Sequence, residues 1–282
     1  MEKVKFEDFE DCLRLTNGEV EVVVSTKFGP RILAYNFVDG ENVFGLHPKA
    51  ETQTALGVFK PYGGHRFWLA PEIMPQTYAP DNSPIEFKAN EKTNSIHLIQ
   101  PVEEVSKTQK EITITIDESG SGVIIKHKVT NLGADEIELA AWALTIMRGG
   151  GEVSIPNEPF AEYGAETLLP VRNLTLWSYS DLTDPRWKLD KDFIRLKVDE
   201  TKTDAQKIGI LNKRGWAQYD LPDVVFTKNF EHKDGEIYPD MNSNMELYTA
   251  GNFIEIETLA PLRKLKKGES TEHFESWSLD RK

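Results

Sequence analysis

The sequence predicts an all-β protein, built as a large antiparallel β-sandwich. Three observations carry this. Apolar and polar residues alternate over short stretches, Gly, Asn and Asp turn signals separate those stretches, and no long segment keeps a 3.6-residue apolar period. Many strands at close spacing in one chain, without a linker or an internal repeat, fit one sandwich domain over residues 1–282. A chain of 282 residues buries roughly three quarters of its unfolded surface, so its core needs no disulfide or metal.

Val20, Val22 and Val24 alternate with Glu19 and Glu21, the period of a half-buried strand. Ile112, Ile114 and Ile116 repeat it around Thr113 and Thr115. Short apolar runs follow at 123–130, 137–147, 206–211, 223–230, 245–249, 253–258 and 273–279. The run 137–147 is apolar on both faces, which suits a central strand covered on both sides. Turns are marked by Asn17-Gly18, Asp39-Gly40, Ser119-Gly120, Asp234-Gly235 and Lys267-Gly268. Residues 47–83 and 148–192 lack strand patterning and are rich in Pro, Gly and aromatics, so a binding site is expected there.

Composition narrows the function. Lys plus Arg number 33 against 46 Asp plus Glu, a net charge of -13, which argues against nucleic-acid and anionic-membrane partners. Cys12 is the only cysteine, so no intramolecular disulfide forms, and no basic neighbour is placed to activate it. The first residues alternate in charge and lack an apolar signal run; a cytoplasmic location is expected, or a periplasmic one where a leader has been removed. The expected state is a monomer or homodimer. GxSxG, P-loop and GxGxxG patterns are absent, and no cofactor is expected.

Three constellations offer chemistry. Gly63-Gly64-His65-Arg66-Phe67-Trp68, with Glu72 beyond, supplies a sharp turn, an imidazole, a guanidinium and an indole. Fixed donors and an aromatic face suit a sugar; the plainer reading is a structural turn with Arg66 paired to Glu72. In Phe253–Thr258 the period of two puts Ile254 and Ile256 on one face and Glu255 and Glu257 on the other. Two carboxylates on one face push one pKa up, as a general base needs. Asp240, Asn242, Asn244 and Glu246 alternate like the start of a calcium loop, but Met245 stands at its glycine position and Gly251 at its bidentate glutamate, so no metal is expected. His47, His97, His127 and His232 show no metal-ligand spacing, and Trp177, Trp187 and Trp216 are expected in the core.

The C-terminal stretch from Met245 to Leu279 resembles the end of the aldose 1-epimerases (galactose mutarotases). Tyr248-Thr249-Ala250-Gly251-Asn252 is similar to their "YTGN" segment, and Ile256-Glu257-Thr258 to the "LETQ" strand. Leu265 with Lys267-Gly268-Glu269 is similar to "L-PGE", and Asp223 and Phe226 to a segment with a sugar-binding aspartate. "GPRIL", "YGGHRFW-APE" and "LWSYSDLTDPRW" look like a branch of the galactose mutarotase-like superfamily.

The resemblance implies a supersandwich with a carbohydrate cleft, Glu257 as catalytic base, and a sugar or oligosaccharide as partner. The family also carries a general-acid His in the strand after a "VTN" turn. Here Val129-Thr130-Asn131 is present, but Trp142 falls roughly where that His belongs. His65 is the expected replacement, with Arg66, Trp68, Glu72, Trp142, Asp223, Lys228 and Glu246 holding the sugar. The function expected is anomer interconversion. The alternatives are carbohydrate binding without turnover, or hydrolysis or lyase chemistry on the same scaffold, for which Glu246 and Glu257 are the pair to measure.

Overall fold

A computed structural model describes all residues from Met1 to Lys282. Two large antiparallel sheets lie face to face. The first runs, in spatial order, through strands Glu2–Phe6, Phe9–Thr16, Val20–Ser25, Arg31–Phe37, His65–Ala70, Ile137–Arg148, Phe253–Leu259, Met245–Thr249, Gln206–Ile210 and Leu174–Leu176. The second runs through Glu86–Asn90, Ser95–Ile99, Thr108–Ile116, Val123–Asn131, Ser270–Arg281, Val224–Phe230, Trp216–Asp220, Glu152–Pro156, Phe193–Lys197 and Trp187–Leu189. No helix is long and apolar enough to cross a membrane.

The alternating valines and isoleucines turn inward as their period requires. Val20, Val22, Val24, Ile112, Ile114, Ile254 and Ile256 are all fully buried in one apolar cluster between the sheets. The strand Ile137–Arg148 is buried on both sides. Leu139, Ala141 and Met147 join the inter-sheet core. Ala140, Trp142 and Leu144 form a second cluster with Phe59, Trp68, Ala70 and Leu259 on the other face of the sheet. That outer face is covered by the long loops, which is why a strand of a two-sheet sandwich reads as apolar throughout.

Gly63 and Gly64 take left-handed φ of +88° and +70°. A side chain on either would collide with backbone, the carbonyls of Gly45 and Ile32 respectively. The close approach that they permit is therefore chain to chain, and it sets the start of the His65–Ala70 strand.

A polar chain crosses the middle of the inter-sheet core. His127 Nδ1 donates to the His273 carbonyl at 3.2 Å, which leaves its Nε2 lone pair to accept from His65 Nε2–H at 2.7 Å. The Thr145 hydroxyl then donates to His65 Nδ1 at 2.8 Å. His273 Nε2 donates to Thr258 Oγ1 at 2.7 Å, and Thr258 donates to Glu275. Glu275 also accepts from Lys228 Nζ at 3.0 Å and from Trp277 Nε1 at 2.8 Å. Each member is satisfied, as a buried polar group must be.

Candidate functional site

Cross-strand register assembles the site on the outer face of the first sheet. Arg66 lies opposite Leu144, Leu144 opposite Glu257, Glu257 opposite Glu246, and Glu246 opposite Gly209. Directly opposed residues share a face, so one row runs Arg66–Leu144–Glu257–Glu246–Gly209. The adjacent rows bring Trp68 opposite Trp142 on one side, and Tyr248 opposite both Glu255 and Lys207 on the other.

Glu257 is the centre of this group and is only 1% exposed. Its Oε2 accepts from Trp142 Nε1 at 2.8 Å and lies 3.4 Å from Lys207 Nζ. The same ammonium stands 2.7 Å from Glu246 Oε2. That contact is a close ion pair, and Glu246 Oε1 is left without a partner although the side chain is fully buried. Lys207 is packed between the rings of Trp142 and Trp177, 5.0 and 4.7 Å from their centroids, where the ring faces favour a cation. Gly209 leaves room for this packing: a Cβ there would lie 2.5 Å from Ser243 Oγ and 3.3 Å from Trp177.

Arg66 Nη2 donates to both oxygens of Glu255, at 3.2 and 3.3 Å, and its guanidinium sits 4.1 Å over the Trp68 ring. Its Nε is buried without a partner. Phe59 and Tyr78 close the aromatic wall around Trp68. Exposed Glu72, tied to the Tyr78 hydroxyl, and exposed Tyr179 stand toward solvent within electrostatic reach of Lys207 or Glu257. Asp240, Met241 and Asn242, at φ of 49°, 58° and 71°, form a left-handed run of non-glycine residues just before the Glu246 strand. Strain of this kind collects at functional sites.

Charge is finely set here. Burial drives the Glu257 carboxyl up to about 7, against the pull of Lys207, Arg66 and the Trp142 N–H. Burial also holds Glu246 well above the usual carboxylate range, despite Lys207. Burial opposes the Lys207 ammonium, but Glu257 and Glu246 outweigh it and raise its pKa. Burial therefore raises both carboxyls, Glu257 to about 7, while the Lys207 ammonium between them pulls each back.

The structure brings together Arg66, Trp68, Trp142, Glu246 and Glu257 of the residues expected from sequence, with Glu72 at the rim. Three expected residues stand elsewhere. His65 is fully buried between the sheets, because it precedes Arg66 on a strand where neighbours face opposite ways. Lys228 is buried there too, paired with Glu275. Asp223 is an exposed turn residue that accepts from Arg148 Nη2 at 2.6 Å. The expected Arg66–Glu72 pair is replaced by Arg66–Glu255.

Sequence reasoning missed Lys207 and the position of Trp177 against it, while Tyr248 lies on the same polar strand face as Glu246, as its period of two implies. Trp187 does lie in the core, while Trp216 is half-buried against Phe193. His47 was also missed as a neighbour. Its Nε2 is buried without a partner, its ring meets Phe253 edge-on at 5.1 Å, and an open cavity of about 690 Å³ reaches it.

Two metal readings can be tested. His65, His127 and Glu275 place ligand atoms within 4.8 Å of one another, a donor set zinc accepts that sequence spacing concealed because it comes from three strands. All three are already joined in the hydrogen-bonded chain, with the Lys228 ammonium on Glu275, so the cluster is complete as a structural network. In the Asp240–Glu246 segment the left-handed run replaces the calcium-loop conformation, and Asn242 and Asn244 hydrogen-bond to neighbouring backbone.

Two antiparallel sheets packed face to face, with a polar row on the covered outer face of one, define the galactose mutarotase-like sandwich, and the chain has this fold. Similar solved structures span its whole length. A galactose mutarotase-like protein from Lactobacillus casei matches with a TM-score of 0.59 at 10% identity, over 95% of this chain and 100% of that one. Another from Clostridium acetobutylicum matches with 0.54 at 11%, over 100% and 98%. A candidate aldose 1-epimerase from Escherichia coli K12 matches with 0.60 at 12%, over 96% and 99%. The sequence matches no protein-family model and no curated protein.

Proposed function

We propose that this protein interconverts the anomers of a small sugar by general acid–base opening and closure of the pyranose ring, with Glu257 as the base at the C1 hydroxyl. The observation that carries the reading is Glu257 itself. A carboxyl pushed by burial to about 7, fixed by the Trp142 N–H and set among aromatic side chains, can accept and return a proton near neutral pH. Half-buried Trp177 offers a face for sugar C–H surfaces, and the unpartnered Arg66 Nε and Glu246 Oε1 offer hydrogen bonds to hydroxyls. The fold shared with the mutarotase-like proteins supports the same scaffold use.

The test is NMR saturation transfer between the anomers of glucose and of galactose, measured above the buffer rate. Wild type is expected to accelerate exchange of at least one sugar, and Glu257→Gln to lower that rate by about 10²–10⁴-fold. Sugar binding without acceleration would instead support a binding protein, the reading favoured by the lack of a histidine beside Glu257.

A further inference from the structure

The reading above gives Glu257 one proton transfer and leaves the other without a residue. We propose that Glu246 is the acid partner of Glu257, delivering the proton to the ring oxygen, with the Lys207 ammonium set between the two carboxyls. The assignment rests on the anomer chemistry proposed for the same cleft.

The argument begins with the substrate. The C1 hydroxyl oxygen and the ring oxygen are bonded to the same carbon, so an acid and a base that stand side by side can serve both. Glu246 and Glu257 are directly opposed on neighbouring strands, which sets their Cβ atoms about 4.5–5.5 Å apart. Glu246 is fully buried, with Oε2 paired to Lys207 at 2.7 Å and Oε1 without a partner. A buried carboxyl oxygen left so is costly unless a ligand completes it, and the absent side chain of Gly209 opposite lets Ser243 and Trp177 pack close beside it.

Other donors fail on position or chemistry. His47 packs on Phe253, four residues along the strand from Glu257, or about 13 Å at the usual rise. His65 faces the opposite side of the sheet. Arg66 stays protonated throughout and cannot give up its proton. Burial, which raises the Glu246 carboxyl against the pull of Lys207, agrees with an acid role.

The step balances. Glu257 takes the proton of the C1 hydroxyl, and the C1–O1 bond becomes a carbonyl. The C1–ring-oxygen bond breaks with its electron pair on the ring oxygen, which takes the Glu246 proton. Rotation about C1–C2 and the reverse transfers give the other anomer and restore both carboxyls.

Saturation-transfer exchange across pH 5–9 tests this with Glu246→Gln, Glu246→Asp and Lys207→Gln, each checked for folding by thermal melting, beside Glu257→Gln and His47→Asn. Glu246→Gln is expected to lose about 10²-fold or more in kcat with little change in KM, and Glu246→Asp to recover part of the loss. Lys207→Gln is expected to move the rising limb of the pH–rate profile to higher pH, because the ammonium holds the Glu257 pKa down; a packing role alone leaves that limb in place. If Glu246→Gln does not fold, Glu246→Asp decides: a lowered kcat with KM kept supports the acid assignment, and a full kcat overturns it. Full kcat in Glu246→Gln with loss in Glu257→Gln overturns the acid assignment and leaves the Glu257 reading standing. Loss in His47→Asn with full kcat in Glu246→Gln also overturns it. A wild type that accelerates neither sugar overturns both.

Discussion

Trp142 Nε1 donates a hydrogen bond to Glu257, and an indole N–H can only donate. It therefore steadies the carboxylate and cannot carry a proton to a substrate. Its effect on Glu257 is downward, against a larger upward effect of burial. Trp142→Phe keeps a ring against Trp68 and Lys207 but removes the donor. The Glu257 pKa should then rise above about 7, and the rising limb of exchange rate against pH should shift the same way. The rate at pH 7 is expected to fall several-fold while the rate at pH 8.5 changes less. A uniform fall at both pH values would mean that the indole acts through packing alone. The lost hydrogen bond should also cost about 1–3 kcal/mol of stability, read by denaturant unfolding.

One strand does two jobs. Phe253–Leu259 sends Ile254 and Ile256 into the inter-sheet core and Glu255 and Glu257 into the cleft. That division was legible in the sequence, because a period of two is a backbone property. So was the central strand at 137–147. The segments 47–83 and 148–192, read as lacking strand pattern, instead contain strands such as His65–Ala70 and Glu152–Pro156. The position of His65 was not legible, since a motif read as a unit ignores the alternation that separates His65 from Arg66. Lys207 was hidden for a different reason: Gln206–Ile210 is buried throughout, and the value of Lys207 comes from its register against Tyr248 and its contacts with Trp142 and Trp177. Gly209 was equally silent, yet it tests the register. Gly209→Ala places a methyl 2.5 Å from Ser243 Oγ and against Trp177. Overpacking of this kind costs about 1–3 kcal/mol, and displacement of Trp177 should lower sugar exchange beyond any effect on the fraction folded. Unchanged exchange in a destabilised variant would separate Trp177 from the site.

The whole molecule combines two buried polar groups whose pH dependences oppose each other. Between the sheets, burial pushes His127 down to about 4, His273 to about 3, and His65 well below its ordinary value. The unfolded chain takes up these protons from about pH 6.5 downward while the folded chain does not, so stability falls with pH by up to about 1.4 kcal/mol per unit for each histidine. Burial works against the Glu275 carboxylate, but Lys228 and the histidines outweigh it and hold its pKa low, so its stabilisation is lost only below the ordinary carboxylate range. In the cleft the sign reverses. Glu257, at about 7, and Glu246, held well above the ordinary value, release their protons later when folded than when unfolded. They remove stability as pH rises from about 4.5 through 7. Three histidines outweigh two glutamates below about pH 6.5, and the glutamates act alone above it, so maximal stability is expected near pH 6. Urea unfolding at pH 5, 6, 7 and 8 should show that maximum. His127→Gln should flatten the acid side, and Glu257→Gln should gain on wild type steadily from pH 5 to 8. A wild-type stability that climbs without a turn from pH 5 to 8 would mean that the cleft carboxyls ionise normally, and the proton chemistry assigned to Glu257 and Glu246 would then lose its physical basis.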